Sequence, residues 1–333
     1  MPAPIASPES LAESGVLIGH AAGLAASAFW VATSIFFAEA GRRIGSTAVN
    51  SFRLVVAVAL HAATYAAVSA MNGRLDLWPD VTTAQLLWLA GSGLVGLTIC
   101  DQCLFTAFVD IGPRRSLLCM TTSPLVALAL GTVFLDEAIT LADALGMALT
   151  LGGVAWVILE RDPTLADKQQ HPHFRRGVVL ALIGAATQAA GLFMSKKGIG
   201  HGLVPADQHV GVQAATYIRM VFGALGMVPW IAFYAARRGS AAHASSKARR
   251  VGKPGAGYAL TAAGAVVGPY FGVWASLIAG DRLPVGIAQT LLSLSPVMIL
   301  PFAVFVQKEH VSARGVAGAC LAVAGTAVLA LLD

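Results

Sequence analysis

The chain has 333 residues, of which 12% are Asp, Glu, Lys or Arg and 56% are hydrophobic, and its mean hydropathy is +0.72. An ordinary soluble domain is about 25% charged, so these residues cannot supply the charged shell that a soluble chain of this size needs. The alternative solvent is a bilayer, and a net charge of +5 then points to basic loops on anionic lipid rather than to nucleic acid.

Ten stretches carry no formal charge: 14–38, 54–73, 81–100, 116–135, 144–159, 177–195, 220–236, 254–280, 283–307 and 315–332. Most approach the ~20 residues that cross ~30 Å of hydrocarbon. They predict an all-α integral membrane protein of ten transmembrane helices. The first follows MPAPIASPESLAES, which lacks a basic leader, and is too long for a signal-peptide core, so it reads as a retained span. It carries His20 and, at mid-span, Trp30. The second holds His61. The third places Asp101 between Cys100 and Gln102. In the fourth, Thr121, Thr122 and Ser123 precede Pro124. The fifth begins near Leu141 if Asp143 is tolerated at its end, and a charged linker follows at 161–176. Gln188 is the lone amide of the sixth span. The seventh begins near Gly211 if Arg219 is taken in, and a second solvated linker is expected at 237–253. Tyr270 and Trp274 lie one turn apart on the eighth. Gln289, Ser293 and Pro296 form a stripe on the ninth, and the tenth is apolar.

The four cysteines all sit in apolar stretches, which argues against a disulfide framework and against a zinc site. Gly93, Gly96, Cys100, Cys103 and Ala107 recur at three- and four-residue steps, a small-residue stripe suited to close helix packing rather than redox chemistry.

Shifting the chain by 172 residues aligns 91–160 with 263–332 without a gap. Gly96 meets Gly268, Ser123-Pro124 meets Ser295-Pro296, Glu137 meets Glu309, and Gly153 meets Gly325. Upstream, Phe52-Arg53 meets Ile218-Arg219. The expected organisation is a five-helix repeat at 1–160, a basic linker at 161–176 and a second five-helix repeat at 177–333. Five spans per repeat force the second copy to insert upside down, the architecture of alternating access.

Each half resembles one EamA-type unit of the drug/metabolite transporter superfamily. The matching features are a Gly-rich third helix (GSGLVGLTICDQCLF and GAVVGPYFGVWASL), a fourth with Ser-Pro (TTSPLVALALGTVFLDE and SLSPVMILPFAVFVQKE) and a short Gly-containing fifth (GMALTLGGVAWVILE and GACLAVAGTAVLALL). The resemblance implies a carrier of small metabolites or drugs, with no cofactor, and a central cavity lined by helices one, three, four, six, eight and nine. The fifth and tenth would pack peripherally, in a monomer or at the contact of a homodimer. Family members mostly keep both termini in the cytoplasm. This chain departs from that habit. Only Arg74, Lys196, Lys197 and Arg282 fall on the N-terminal side, against sixteen Lys and Arg on the other, with Arg53 and Arg219 completing the 22. The positive-inside rule therefore places both termini outside the cytoplasm.

An ionisable residue within a span is a functional hypothesis by default. A carboxylate at Asp101 costs at least ~2.5 kcal/mol by insertion scales. It could exchange a proton with substrate, or it could be structural, either at the interface if the span ends early or paired with Arg53. The substrate-facing set expected is Asp101, Gln102, Trp30, Thr121, Gln188, Tyr270, Trp274 and Gln289, with Pro124 and Pro296 bending their helices. Glu137 and Glu309 read as interfacial caps, and His20 and His61 as packed side chains outside the site. The function expected is secondary transport of a small organic solute, outward, coupled to protons or driven by the solute's own gradient. Two rivals remain: a membrane-embedded enzyme, which would need paired catalytic groups or a metal cluster, and a non-transporting sensor or scaffold, which would need an effector domain. A nucleotide-driven pump would need a Gly-x4-Gly-Lys-[Ser/Thr] loop, and the sequence has none.

Overall fold

A computed structural model describes residues 8–74, 76–111, 116, 119–159, 173–241, 254–298 and 313–331. Glu309, most of the 161–176 linker and the end of the ninth charge-free run lie outside these. The described residues are helical throughout apart from turns and short connections, with no strand among them, as hydrocarbon demands when backbone groups must be satisfied within each segment. In chain order the helices are α1 Pro8–Ile44, α2 Ser46–Met71, α3 Thr83–Gly93, a π-helical segment π1 Leu94–Ile99, α4 Cys100–Ile111, α5 Ser123–Phe134, α6 Leu141–Leu159, α7 Phe174–Ile199, α8 Val212–Ala241, α9 Pro254–Ala265, a second π segment π2 Val266–Gly272, α10 Val273–Arg282, α11 Val285–Leu292, the short α12 Ser295–Met298 and α13 Ala313–Leu331.

Among the described residues, six rods are long and apolar enough to cross a membrane: Ser14–Gly41, Ala48–Met71, Thr83–Leu104, Phe174–Ile199, Val212–Ala232 and Pro254–Arg282. Three shorter apolar helices, Ser123–Phe134, Leu141–Trp156 and Ala313–Leu329, accompany them. The chain is a multi-pass membrane protein. The helix ends follow local chemistry. The Thr82 hydroxyl accepts from the Gln85 backbone N–H at 3.3 Å while the Gln85 side-chain oxygen accepts from the Thr82 N–H at 3.0 Å, a reciprocal cap on α3. Asp143 makes the same kind of cap with Thr140 at the start of α6, which is how an acidic residue is accommodated there. Gly45 turns the chain between α1 and α2 at φ +89°, where a side chain would be strained.

Two expectations need correction. The first helix outruns its charge-free stretch and continues to Ile44, because Glu39 and Arg43 pair along it at 2.6 Å and neutralise each other. The expected linker at 237–253 starts later, since α8 stays helical through Arg237 and Arg238 to Ala241.

Packing follows the small residues. α1 lies against α9, π2 and α10, while α3, π1 and α4 lie against α7, and α3 and π1 also against α8. α2 packs on α8, α5 on α11, and α6 on α13. At the last crossing the backbones nearly touch. A Cβ on Gly153 would strike the backbone of Ala322 and Gly318, and one on Gly325 would strike Thr150.

Two irregularities recur at one spacing. π1 begins at Leu94 and π2 at Val266, 172 residues apart. The fourth rod is broken by a turn at Thr121-Thr122, just before Ser123-Pro124, and the ninth by a turn at Ser293-Leu294, just before Ser295-Pro296. The two prolines therefore stand directly after breaks in their rods, where a missing N–H costs least.

Candidate functional site

Where α2, the π1–α4 junction, α7 and α8 meet, the bundle interior holds charge. Arg53, 4% exposed, comes from α2, and Arg219, 6% exposed, from α8. Asp101, second residue after π1, forms a salt bridge with the Arg53 guanidinium. Arg53 Nε donates to the Asn50 side-chain oxygen at 2.8 Å, and the guanidinium stacks 5.6 Å from the centre of the Phe37 ring. Of the roles open to Asp101, pairing with Arg53 is thus present in the structure.

The Arg219 guanidinium lies across two bare glycines. A Cβ on Gly96 would come within 2.7 Å of its Nη2, and one on Gly191 within 3.4 Å. The Gly96 and Gly191 backbones are in mutual contact, so α7 and π1 close directly beneath it. Gly93 does the same for the Arg219 backbone carbonyl. No hydrogen bond to the Arg219 side chain occurs among the described residues, and its Nε is buried without a partner. The stripe of Gly93, Gly96 and Cys100 is therefore a packing surface, and what it admits is an arginine. Sequence reading placed Arg219 only as a charge tolerated at a span edge. Its alignment with Arg53 in the repeat was the available signal.

The other expected residues lie on several helices. Trp30, half-buried on α1, packs against a cluster that includes Leu97, Val273, and Leu54 and Ile218, the sequence neighbours of Arg53 and Arg219. Tyr270 lies in π2. Its hydroxyl is 2.6 Å from the Thr64 hydroxyl, and its ring is 4.6 Å from that of His61. Trp274 follows one turn later, 6.1 Å from Tyr270 between ring centres. His61 is buried, with Nε2 3.5 Å from the Pro269 carbonyl and Nδ1 unpartnered. Gln102 turns its amide to Thr106 on its own helix at 3.5 Å. Gln188 on α7 and Thr121 at the α5 break are half-buried. Gln289 on α11 is fully buried, and its Oε1 has no partner. Pro124 is buried at the start of α5. Pro296 falls in α12, and its side chain lies outside the described residues.

A second buried ion pair lies at one end of the bundle. Lys196, near the end of α7, donates through Nζ to Glu137 Oε1 at 2.6 Å and to the Leu283 carbonyl at 2.6 Å. Glu137 Oε2 accepts from the Val285 N–H at 2.8 Å, capping α11. The two side chains are 9% and 10% exposed. Gly131 has no side chain because the Glu137 carboxylate occupies that space. Glu137 is thus a cap, as expected, and also a bolt joining α5, α7 and α11. His201 Nε2, 2.7 Å from Asp281 Oδ1, ties α10 to the loop after α7 at the same end.

The comparison with curated proteins returned no match. A solved crystal structure of a protein, 19% identical and covering 96% of each chain, superposes with a TM-score of 0.68, which speaks for a common fold. The EamA-like transporter family matches residues 17–159 and again 175–331, nearly the whole length in two copies. On that match, the chain belongs to the EamA-like transporter family.

Proposed function

We propose that this protein is a secondary transporter that exports a small organic solute across the cytoplasmic membrane by alternating access. It does so with ten spans arranged as two inverted five-helix halves, 1–160 and 177–333, joined by the basic segment 161–176. The observation that carries this reading is the paired recurrence of π segments and pre-proline turns, 172 residues apart, around a buried charged interior. π segments concentrate at functional sites, and carriers of inverted-repeat design bind at the interface of their halves beside broken helices. The breaks before Pro124 and Pro296 serve as bending points in the cycle. The Lys196–Glu137 bolt closes one end and must open for release there.

In this reading the solute meets Trp30, Gln102, Thr121, Gln188, Tyr270, Trp274 and Gln289, with Asp101 beneath them. Asp101 is engaged by Arg53, so proton coupling through it is an exchange: a proton takes the carboxylate when Arg53 lets go. The sixteen-to-four bias of basic residues places both termini outside the cytoplasm.

The test is flux. Purified protein in proteoliposomes should give saturable, counterflow-competent movement of at least one solute from a metabolite panel, above that of empty liposomes. Flux indistinguishable from empty liposomes across the panel would end the reading.

A further inference from the structure

We propose that the buried Arg53–Asp101–Arg219 cluster recognises the carboxylate of an organic monoanion, and that Arg219 is the group that binds it. The argument begins with charge balance. Two guanidiniums and one carboxylate share the interior of a membrane protein, with both arginines more than nine-tenths buried. Asp101 is engaged by Arg53, which also holds Asn50. The Arg219 side chain makes no hydrogen bond among the described residues, its Nε is sealed from water without an acceptor, and Asp101 meets its charge only across the cluster, without direct contact. Desolvating a cation with no hydrogen-bonded counter-charge is among the most costly arrangements in a fold. Chains keep such residues in hydrocarbon at ion and substrate pathways.

The surroundings of Arg219 look prepared for it. Gly96 and Gly191 both lack the side chain that would displace its Nη2, and Gly96 belongs to π1, where the regular ladder is already broken. The cluster carries one net positive charge. A monoanion neutralises it, whereas a phosphate dianion would leave a buried excess of negative charge. The planar fork of arginine also matches a carboxylate through two parallel N–H bonds. The indole of Trp30 and the half-buried Tyr270 and Trp274 favour an apolar body on the anion. The proposal rests on the transporter reading only for the claim that the ligand is carried, since binding is measured separately.

The experiment uses the full chain, purified and reconstituted in nanodiscs, with three skeletons each presented as carboxylate, amide and amine: butyrate, benzoate and indole-3-acetate with their counterparts. Inorganic phosphate is a further arm. Ligand-dependent shifts in thermal unfolding report binding. At least one carboxylate should bind about 10- to 100-fold more tightly than its amide, the range expected for a charge-assisted hydrogen bond. Amines and phosphate should give no shift. Arg219→Gln should abolish the selectivity and Arg219→Lys should retain part of it. Arg176→Gln, at an exposed arginine paired with Asp110, should leave it intact. If Arg219→Gln does not fold, loss of most of the selectivity in Arg219→Lys serves in its place, because only a fork-dependent site distinguishes the two cations. Equal binding of carboxylate and amide in every skeleton, preference for phosphate, or unchanged selectivity in Arg219→Lys and Arg219→Gln would overturn the proposal. Carboxylate binding without flux would leave the site standing and remove the transporter reading. Flux of amides without carboxylate preference would do the reverse.

Discussion

Replacing Lys196 by Met keeps most of the side-chain volume and removes the charge that holds one end of the bundle shut. In the native chain, Lys196 Nζ makes two bonds of 2.6 Å, to Glu137 and to the Leu283 carbonyl, with both charged side chains about nine-tenths buried. Breaking such a pair by removing one partner costs ~3–5 kcal/mol, because the remaining charge is left in a poor solvent. In Lys196→Met, Glu137 would keep only the Val285 N–H among the partners described here. The charge can escape by opening that end to water, so the penalty falls on the closed arrangement. If about 1.4 kcal/mol of it distinguishes closed from open, the ratio of the two shifts tenfold. Leu283 reports on this directly, being 1% exposed at the bolt. With the four native cysteines replaced and Leu283→Cys introduced, a water-soluble maleimide should label the Lys196→Met protein at least ~10-fold faster than its Lys196 parent. Lys196→Met/Glu137→Gln, which leaves no orphan charge, should fall between the two. Equal labelling rates in all three would show that the pair does not govern this end.

Asp101→Asn should lower unfolding stability by ~3–5 kcal/mol, since it removes the carboxylate that neutralises the buried Arg53 guanidinium. Reversible unfolding in detergent checks this, and a change below 1 kcal/mol would mean that the pair is solvated. The same variant in proteoliposomes should lose flux driven by a pH gradient, whereas full pH-driven flux would place coupling elsewhere. Gly153→Leu should separate α6 from α13 and prevent accumulation of folded protein, because its Cβ meets the Ala322 backbone. Gly152→Leu, at a position with open space around it, should be tolerated at wild-type expression. A reporter active only in the cytoplasm, fused after Asp333, should be silent, and activity there would show that loop charge does not set orientation in this chain.

Legibility differed by the kind of signal. Charge-free runs located the long apolar rods, because hydrocarbon allows few residue types and the penalty for exceptions is large. A disturbance at Pro124 and Pro296 was readable because proline cannot donate an N–H, but the expected bend is a turn just before each proline. The π segments were not readable, since a ladder shifted by one residue uses the same apolar alphabet as its α-helical neighbours. Glu137 was placed at a span end correctly, but its partner Lys196 lies 59 residues away, and no local pattern joins them. Arg219 was masked by its position near a span boundary, where a snorkelling charge is ordinary. Only its alignment with Arg53 hinted that it turns inward. Asp101 stood out because a carboxylate amid apolar turns is rare, and its link to Arg53 remained one of the alternatives until the helices were placed.

The seam between α6 and α13 has the construction of a stator. At Gly153 every facing atom is backbone, and at Gly325 the facing atoms are backbone and the Thr150 hydroxyl. Contact of this kind is held by dispersion at short range, and in lipid no hydrophobic gain offsets a gap. Sliding there would forfeit attraction that no rearranged side chain could restore. If the halves rock as proposed, α6 and α13 are the line expected to stay fixed, and the rods that carry irregular backbone are the arms expected to move.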